Sequence, residues 1–335
     1  MTFRFNNSYI NETYTVTGPY EKKGPLSKYF DYSFDNLYCG AKTWEQAEIN
    51  IIKKTYSFFK TKPDLFISGD LLNRIIASTY FAKDFDLPFI GIYSACSTSV
   101  LGLILASILV ENNNVNNVIV SASSHNSTAE KQFRYPIEYG GPKKKTTTFT
   151  TTGCGMALVS NNKSDIKIES GTIGKIIDLD VKDVNYIGAV MAPGAAYVIN
   201  KHLKDLNRSI DYYDMVFTGD LGLYGMKILK DLIKEEYNID LKNYNDCGVM
   251  IYDLKKQNVY SGASGPACLP LVCYSYILKK MKEKKLKKVL LVATGSLHST
   301  TMLNEKLSIP SIAHAISLEV LWYTYIHFCF VVLFV

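Results

Sequence analysis

No CxxC pair occurs in the 335 residues. The seven cysteines, Cys39, Cys96, Cys154, Cys247, Cys268, Cys273 and Cys329, are odd in number and scattered. That pattern excludes a disulfide framework and a structural zinc site and points to reduced thiols in a cytosolic compartment. The opening MTFRFNNSYINETYT lacks the apolar core of a secretory signal, so export by that route is not expected. The histidines share no metal-ligand spacing, and no oxygen-rich loop resembles an EF-hand, so no metal site is predicted. NYIGAVMAPGAA from Asn185 lacks the Gly-Lys-Ser ending of a phosphate loop. It reads instead as a small-residue stretch that lets helices approach closely.

Hydrophobic residues make up 47% of the chain and charged residues 20%. This is the usage of a folded body with one large core or two ordinary ones. The formal net charge is +6, with lysines clustered at Lys143 to Lys145 and from Lys279 to Lys288. The second cluster follows an apolar stretch and precedes the strand-like VLLVATG, so it reads as a solvated helix face and no nucleic-acid partner is expected. From Val320 the sequence becomes VLWYTYIHFCFVVLFV, without one charged residue. At 16 residues it is short for a spanning helix, which needs about 20. A membrane-anchoring stub, a buried terminal strand, and a fusion or frameshift scar carrying the start of a neighbouring membrane protein are the three readings. The abrupt change of composition favours the scar.

Strands are predicted at Asp64 to Ser68, Phe89 to Ser94 and Val118 to Ala122, with helices over Leu71 to Phe81 and Ser99 to Val110. The second half repeats this series. PDLFISGDLLN at Pro63 returns as YDMVFTGDLGL at Tyr213, and the block from GIYSACSTS to VIVSAS returns as NVYSGASGPAC to VLLVATG. An insertion around NYNDCGVMIYD separates the two matches in the second copy and predicts an added strand or loop. Ser99 to Val110 and Pro270 to Ile277 are apolar nearly all round, as helices covered on every side are. A duplicated α/β unit follows, layered α/β/α/β/α around shared buried helices, with halves at 1–170 and 171–319 and a tail at 320–335.

Cys96 stands at the strand-to-helix turn in GIYSACSTS, among Ser94, Ala95, Ser97 and Ser99. Helix amides and dipole there would favour a thiolate and hence a nucleophile. The residue equally reads as a small buried thiol that packs. His125 opens the polar stretch HNSTAEKQFRYPIEYGG and either faces the pocket of Cys96 or orders its own loop. Lys131 and Arg134 stand three apart, so one helical turn would put both on one face as partners for a ligand. The opposite reading pairs them with Glu130 and Glu138. Phe133 or Tyr135 would supply a stacking ring. His298 follows the repeated strand only loosely in register with His125. His202 reads as a surface residue and His314 as a satisfied core histidine.

The duplication and the SACSTS turn resemble the thiolase and ketoacyl synthase superfamily, whose cysteine is acylated with help from a histidine or asparagine of the second half. The resemblance narrows to the stage V sporulation protein AD family of spore-forming bacteria, through GPLSKYFD, DNLYCGAKTWEQAE, SSHNSTAEKQFRYPIEYGGPK, NYNDCGVMIYD and SIPSIAHAISLE. It implies binding of pyridine-2,6-dicarboxylate (dipicolinic acid), with or without calcium, for uptake into the developing spore and release at germination. It further implies membrane-protein partners encoded beside it, a place peripheral to the inner spore membrane, and neither cofactor nor turnover. Where the condensing enzymes carry a histidine this chain has Gly219 and Asp220, and where they carry an asparagine or second histidine it has Ala263 and Ser264. Cys96 is then a relic nucleophile without its base, and Cys96, His125, Lys131, Arg134, Asp220 and Ser264 are the expected ligand-binding residues. The alternative is an acyltransferase or ketoacyl synthase using Cys96 on a coenzyme A or carrier-protein thioester. The fold commonly pairs into homodimers, through a strand like Val118 to Ala122.

Overall fold

The computed structural model describes residues 1–133 and 143–321. In chain order the first half contains β1 (Thr2–Arg4), β2 (Tyr9–Thr17), β3 (Tyr32–Ser33), α1 (Trp44–Tyr56), β4 (Leu65–Gly69), α2 (Ile76–Phe85) and β5 (Phe89–Gly91). It continues through α3 (Thr98–Glu111), β6 (Asn117–Ser124), α4 (Asn126–Phe133), β7 (Phe149–Thr150) and β8 (Gly153–Ser160). The rest contains β9 (Ile166–Ile173), α5 (Ile187–Leu206), β10 (Met215–Thr218), α6 (Gly222–Tyr237), β11 (Tyr244–Asp246) and β12 (Ala263–Ser264). The buried helix that follows, α7 (Cys268–Val272), passes through a π-helical turn at Cys273–Ile277 into α8 (Leu278–Lys282), before β13 (Lys288–Ser296), α9 (Thr300–Asn304) and β14 (Ser311–Val320).

The sheet order β5-β4-β6-β8-β2 is mirrored by β11-β10-β13-β14-β9. In each set the first three strands run parallel and the fourth is antiparallel to the third. The duplication in the sequence is therefore a duplication of topology. The sets meet where Tyr9 and Ile10 pair with Lys167 and Ile166, which makes one continuous sheet of them. α3 lies between the sets, against β4 and β6 on one side and β13 and β14 on the other. This double contact explains why Val100, Leu103, Ile104, Ala106 and Val110 leave it no polar face. The other middle helix, from Cys268 to Lys282, packs on β2, β8 and β9. Outside, α1 and α2 cover the first set, and α5 and α6 the second, giving the α/β/α/β/α layering. Each interface has its own apolar cluster. Burial of one Leu or Ile side chain there stabilises the fold by about 1.5–3 kcal/mol.

Several local features explain departures from the sequence pattern. α2 begins at Ile76 rather than Leu71 because Arg74 and Ile75 adopt left-handed φ values of 65° and 48°. Asp70 closes that turn, accepting from the Leu72 N–H at 3.0 Å, the Ser78 N–H at 2.8 Å and Ser78 Oγ at 2.7 Å. The counterpart of β5 is β11, not the matched segment around Asn258, so the inserted residues form the loop that runs from Cys247 to β12. The small residues from Asn185 do bring helices together: a Cβ on Gly225 of α6 would stand 2.7 Å from the Gly188 Cα of α5. β6 has β4 on one side and β8 on the other, so Val118 to Ala122 offers no free edge to a second chain. Among the described residues the strand path ends at β5 and β11. His202 is buried rather than at the surface, bonded to Thr172 Oγ1 at 2.7 Å and Tyr213 Oη at 2.8 Å. His314 is a satisfied core residue, 3.0 Å from Ser94 Oγ through Nε2. Val320 closes β14, and the tail from Trp322 lies outside the described residues.

Glu48 of α1 is fully buried, accepting from Ser123 Oγ at 2.8 Å and Thr128 Oγ1 at 3.4 Å. Burial, with the Asp70 carboxylate as a second cause, pushes its pKa up to about 8 from 4.5. The unfolded chain releases this proton near 4.5 while the folded chain holds it to about 8. The group's contribution is thus complete below 4.5 and is lost as pH rises through that window, by up to about 1.4 kcal/mol per pH unit. Urea unfolding at pH 5, 6.5 and 8 should show a shallower fall in stability with pH for Glu48→Gln than for the parent chain. Parallel pH profiles would refute the assignment.

Candidate functional site

Cys96 follows a residue in an unusual conformation. Ala95 has φ of 46°, which costs a non-glycine residue about 1 kcal/mol. The turn is held by a closed set of bonds: the Ser94 N–H donates to Thr98 Oγ1 at 3.1 Å, Thr98 Oγ1 to the Ala95 carbonyl at 2.7 Å, and Ser97 Oγ to the Ser94 carbonyl at 2.6 Å. The end of β13 presses on this turn. A Cβ at Gly295 would stand 2.7 Å from the Ser94 carbonyl oxygen, so the approach requires glycine. The cysteine is fixed at the carboxyl ends of the parallel strands, where loops of both halves converge, as ligand sites of open α/β sheets commonly are.

The electrostatics do not favour a thiolate. Burial raises the Cys96 pKa well above its ordinary value, and the hydrogen-bonded Asp220 carboxyl raises it further, outweighing the backbone amides of the turn. Asp220 is itself buried and is pushed up to about 7. Contacts with Cys96, with Thr294 Oγ1 at 2.8 Å and with the Gly265 N–H at 3.0 Å offset only part of that burial cost. Behind it lies a second buried acid, Asp246, raised to about 6 by burial. Its oxygens accept from the Leu221 and Gly222 N–H groups, both at 2.9 Å, and from Thr218 Oγ1 at 2.6 Å.

Cys96 forms part of the wall of a cavity of about 110 Å³. α4 contributes Glu130 and Phe133, and the first half also supplies Thr147 and Thr150. From the second half come Ser264 and Gly265, together with Ser296 and His298 at the end of β13. The volume suits a few waters or one small flat molecule. Thr147 Oγ1, Ser296 Oγ and His298 Nε2 are buried there and have no hydrogen-bond partner among the described residues. Buried polar atoms are normally paired, so three orphans on one wall mark where a ligand's acceptors or donors would sit. Burial lowers the His298 pKa, which keeps the imidazole neutral, and its ring lies 5.4 Å from that of Phe133. Lys143 neutralises Glu130 at 2.9 Å.

Of the residues expected at the site, Cys96 and Ser264 line the cavity and Asp220 sits directly behind Cys96. His125 does not reach it. Its Nε2 bonds the Leu37 carbonyl at 2.7 Å and its Nδ1 accepts from the Ser127 N–H at 3.2 Å, the loop-ordering alternative. Lys131 turns outward and pairs with Glu45 at 2.8 Å. Arg134, Tyr135 and Glu138 lie outside the described residues. Lys144 pairs with Asp183 at 2.9 Å. The sequence reading missed Thr147 and Ser296. Ser296 is the repeat counterpart of His125 and the last residue of β13, and that strand-end position was its available signal. Among the described residues no group of histidine, cysteine and acidic side chains could hold a metal ion, and no helix is long and apolar enough to cross a membrane.

A family model described as Stage V sporulation protein AD matches residues 1–319. The Bacillus subtilis protein of that name is 43% identical over 319 residues, covering 93% of this chain and 94% of its own. Two solved structures share the fold. The 3-oxoacyl-[acyl-carrier-protein] synthase III of Aquifex aeolicus superposes with a TM-score of 0.54 at 15% identity, covering 93% of this chain and 99% of its own. Cerulenin-bound OleA of Xanthomonas campestris gives 0.58 at 12% identity, covering 94% of this chain and all of its own.

The Cys96–Asp220 pair sets a measurable reactivity. At pH 8 Cys96 should alkylate with iodoacetamide far more slowly than an exposed cysteine, and Asp220→Asn, which removes the neighbouring negative charge, should speed it several-fold. Peptide mapping by mass spectrometry reads both rates. Fast labelling of the parent chain, or an unchanged rate in the variant, would refute the electrostatic account.

Proposed function

Because the chain belongs to the stage V sporulation protein AD family, and so has a role in sporulation, we propose that its cavity binds dipicolinic acid without turning it over. One observation carries the reading: the three unpartnered polar atoms of Thr147, Ser296 and His298 share one cavity with the Phe133 ring. A flat pyridine dicarboxylate presents acceptors to hydroxyl groups and a face to an aromatic side chain. The same reading makes Cys96 a relic. An imidazole beside a thiol takes its proton and leaves a thiolate, whereas the Asp220 carboxyl stabilises the protonated thiol. The bound acid is delivered to, or received from, membrane proteins of the same sporulation stage, with this chain peripheral to the inner spore membrane.

The acyltransferase reading has one observation in its favour, the neutral imidazole of His298 on the wall that also carries Cys96. Homodimerisation is also proposed, through the edge at β5. Ile90 is 39% exposed and Tyr93 50%, and Ile76 and Tyr80 of α2 continue the apolar surface. An isologous pairing with a second copy would cover both the apolar side chains and the backbone groups of the edge.

Calorimetric titration of the full chain with dipicolinate, with and without calcium, should show saturable binding. Ser296→Ala, His298→Ala and Thr147→Val should each weaken it about three- to tenfold, the value of one hydrogen bond. Absence of saturable binding under both conditions overturns the proposal, and a stable acyl adduct on Cys96 after incubation with acyl-coenzyme A would install the alternative. For the dimer, sedimentation of the parent chain should give twice the mass of the Ile90→Lys variant. Equal masses would remove that edge as the interface.

A further inference from the structure

The segment Lys279 to Lys288 holds seven lysines and one glutamate, so these ten residues carry the formal +6 of the whole chain and the remainder is neutral. Lys279 and Lys282 of α8, and Lys284, Lys285 and Lys287 of the turn into β13, are exposed. Two tyrosines are set among them. Lys28 and Lys279 stand over the Tyr29 ring at 5.4 and 5.1 Å, Lys280 stands over Tyr276 at 5.3 Å, and the two rings meet edge to face at 5.2 Å. Three nearby acids are engaged, Glu283 with Lys280 and Lys285, Asp214 with the Lys287 and Lys288 N–H groups, and Glu319 with Tyr212 Oη, while Asp165 is exposed. At the same corner β14 ends at Val320. Val320 donates to the Lys287 carbonyl at 2.9 Å and Leu321 to that of Asp165 at 2.9 Å, at the start of the charge-free run from Val320.

We infer that this corner is a docking surface for an anionic phospholipid bilayer. Clustered lysines gain about 1 kcal/mol each beside an anionic leaflet, and tyrosines are favoured at its interface. Nucleic acid would also attract lysines, but it gives no role to two tyrosines packed edge to face beneath them. The cavity remains open in this pose. β13 begins at Lys288 and ends at Ser296 in the cavity wall, so the two sites are separated by the length of a nine-residue strand, about 25 Å. The inference takes its setting from the proposed membrane-side role, but its test reads lipid attachment and not dipicolinate.

The test is vesicle flotation of the full chain. Attachment to phosphatidylglycerol-containing vesicles should exceed attachment to pure phosphatidylcholine at least tenfold and should be lost between 50 and 500 mM salt, conditions that need no variant. The Lys282→Glu, Lys284→Glu and Lys285→Glu triple variant should lose about tenfold or more. A control triple on exposed α6 lysines, Lys227→Glu, Lys230→Glu and Lys234→Glu, should bind as the parent does. Equal attachment to neutral vesicles, insensitivity to salt, or a DNA duplex bound more tightly with the same lysine dependence would each overturn the inference. A folded triple variant that binds as the parent does would also overturn it, and if that variant does not fold, Lys→Gln at the same positions replaces it.

Discussion

The cavity depends on a backbone ladder no longer than two residues a side. β7 pairs with β12, Phe149 opposite Ala263 and Thr150 opposite Ser264. The Phe149 N–H reaches the Gly262 carbonyl at 2.8 Å, the Thr151 N–H that of Ser264 at 2.9 Å, and the Ser261 N–H that of Thr147 at 2.9 Å. Neither half of the duplication could build the wall alone. The ladder sets Thr147 and Thr150 of one half against Ser264 and Gly265 of the other, and Gly265, with φ of 106°, passes where a Cβ would lie 2.9 Å from Ser124 Oγ.

Beneath that wall the molecule holds carboxylic acids where carboxylates would be costly. Burial raises Glu21 and Asp220 to about 7, Asp246 to about 6 and Glu48 to about 8. Glu21 is bridged across the halves, taking the Thr152 N–H at 2.9 Å and the hydroxyl of Tyr252. No lysine or arginine is among the causes that shift any of these four. The raised pKa values lower the negative charge these acids carry near neutral pH relative to ordinary carboxylates, and amide and hydroxyl donors offset part of what remains.

The fold was largely legible in the sequence because its strongest signal, the return of one strand and helix series, is a property of local hydrophobic pattern. The apolar faces of Ser99 to Val110 reported a helix enclosed between two sheet sets, and the repeated Gly-Asp-Leu marked equivalent strand ends. The site was legible at Cys96, Asp220 and Ser264, residues tied to those strand ends, and at Phe133, named as a stacking ring. Lys131 was misread because its partner Glu45 lies on another helix, and spacing along α4 cannot reveal a charge brought in by tertiary packing. His125 and His202 were misread for a similar reason: a polar sequence neighbourhood hides a buried ring when its bonds go to Leu37, Thr172 and Tyr213, far along the chain. Thr147 gave no signal, and Ser296 only its strand-end position, because a hydroxyl becomes informative when packing leaves it unpaired.

Asp70 and Asp220 occupy twin positions, each the second residue of a Gly-Asp-Leu at its strand's end, Gly69 closing β4 and Gly219 directly following β10. The first is consumed locally by the turn leading into α2, bonding Leu72 and Ser78, while the second reaches across to Gly265, Thr294 and the sulfur of Cys96. Inheritance of a doubled scaffold thus left a spare acid: one copy stayed with housekeeping and the other was free to be reassigned. Asymmetry of employment within symmetry of architecture is how such a molecule can change occupation while every layer of its framework stays in place.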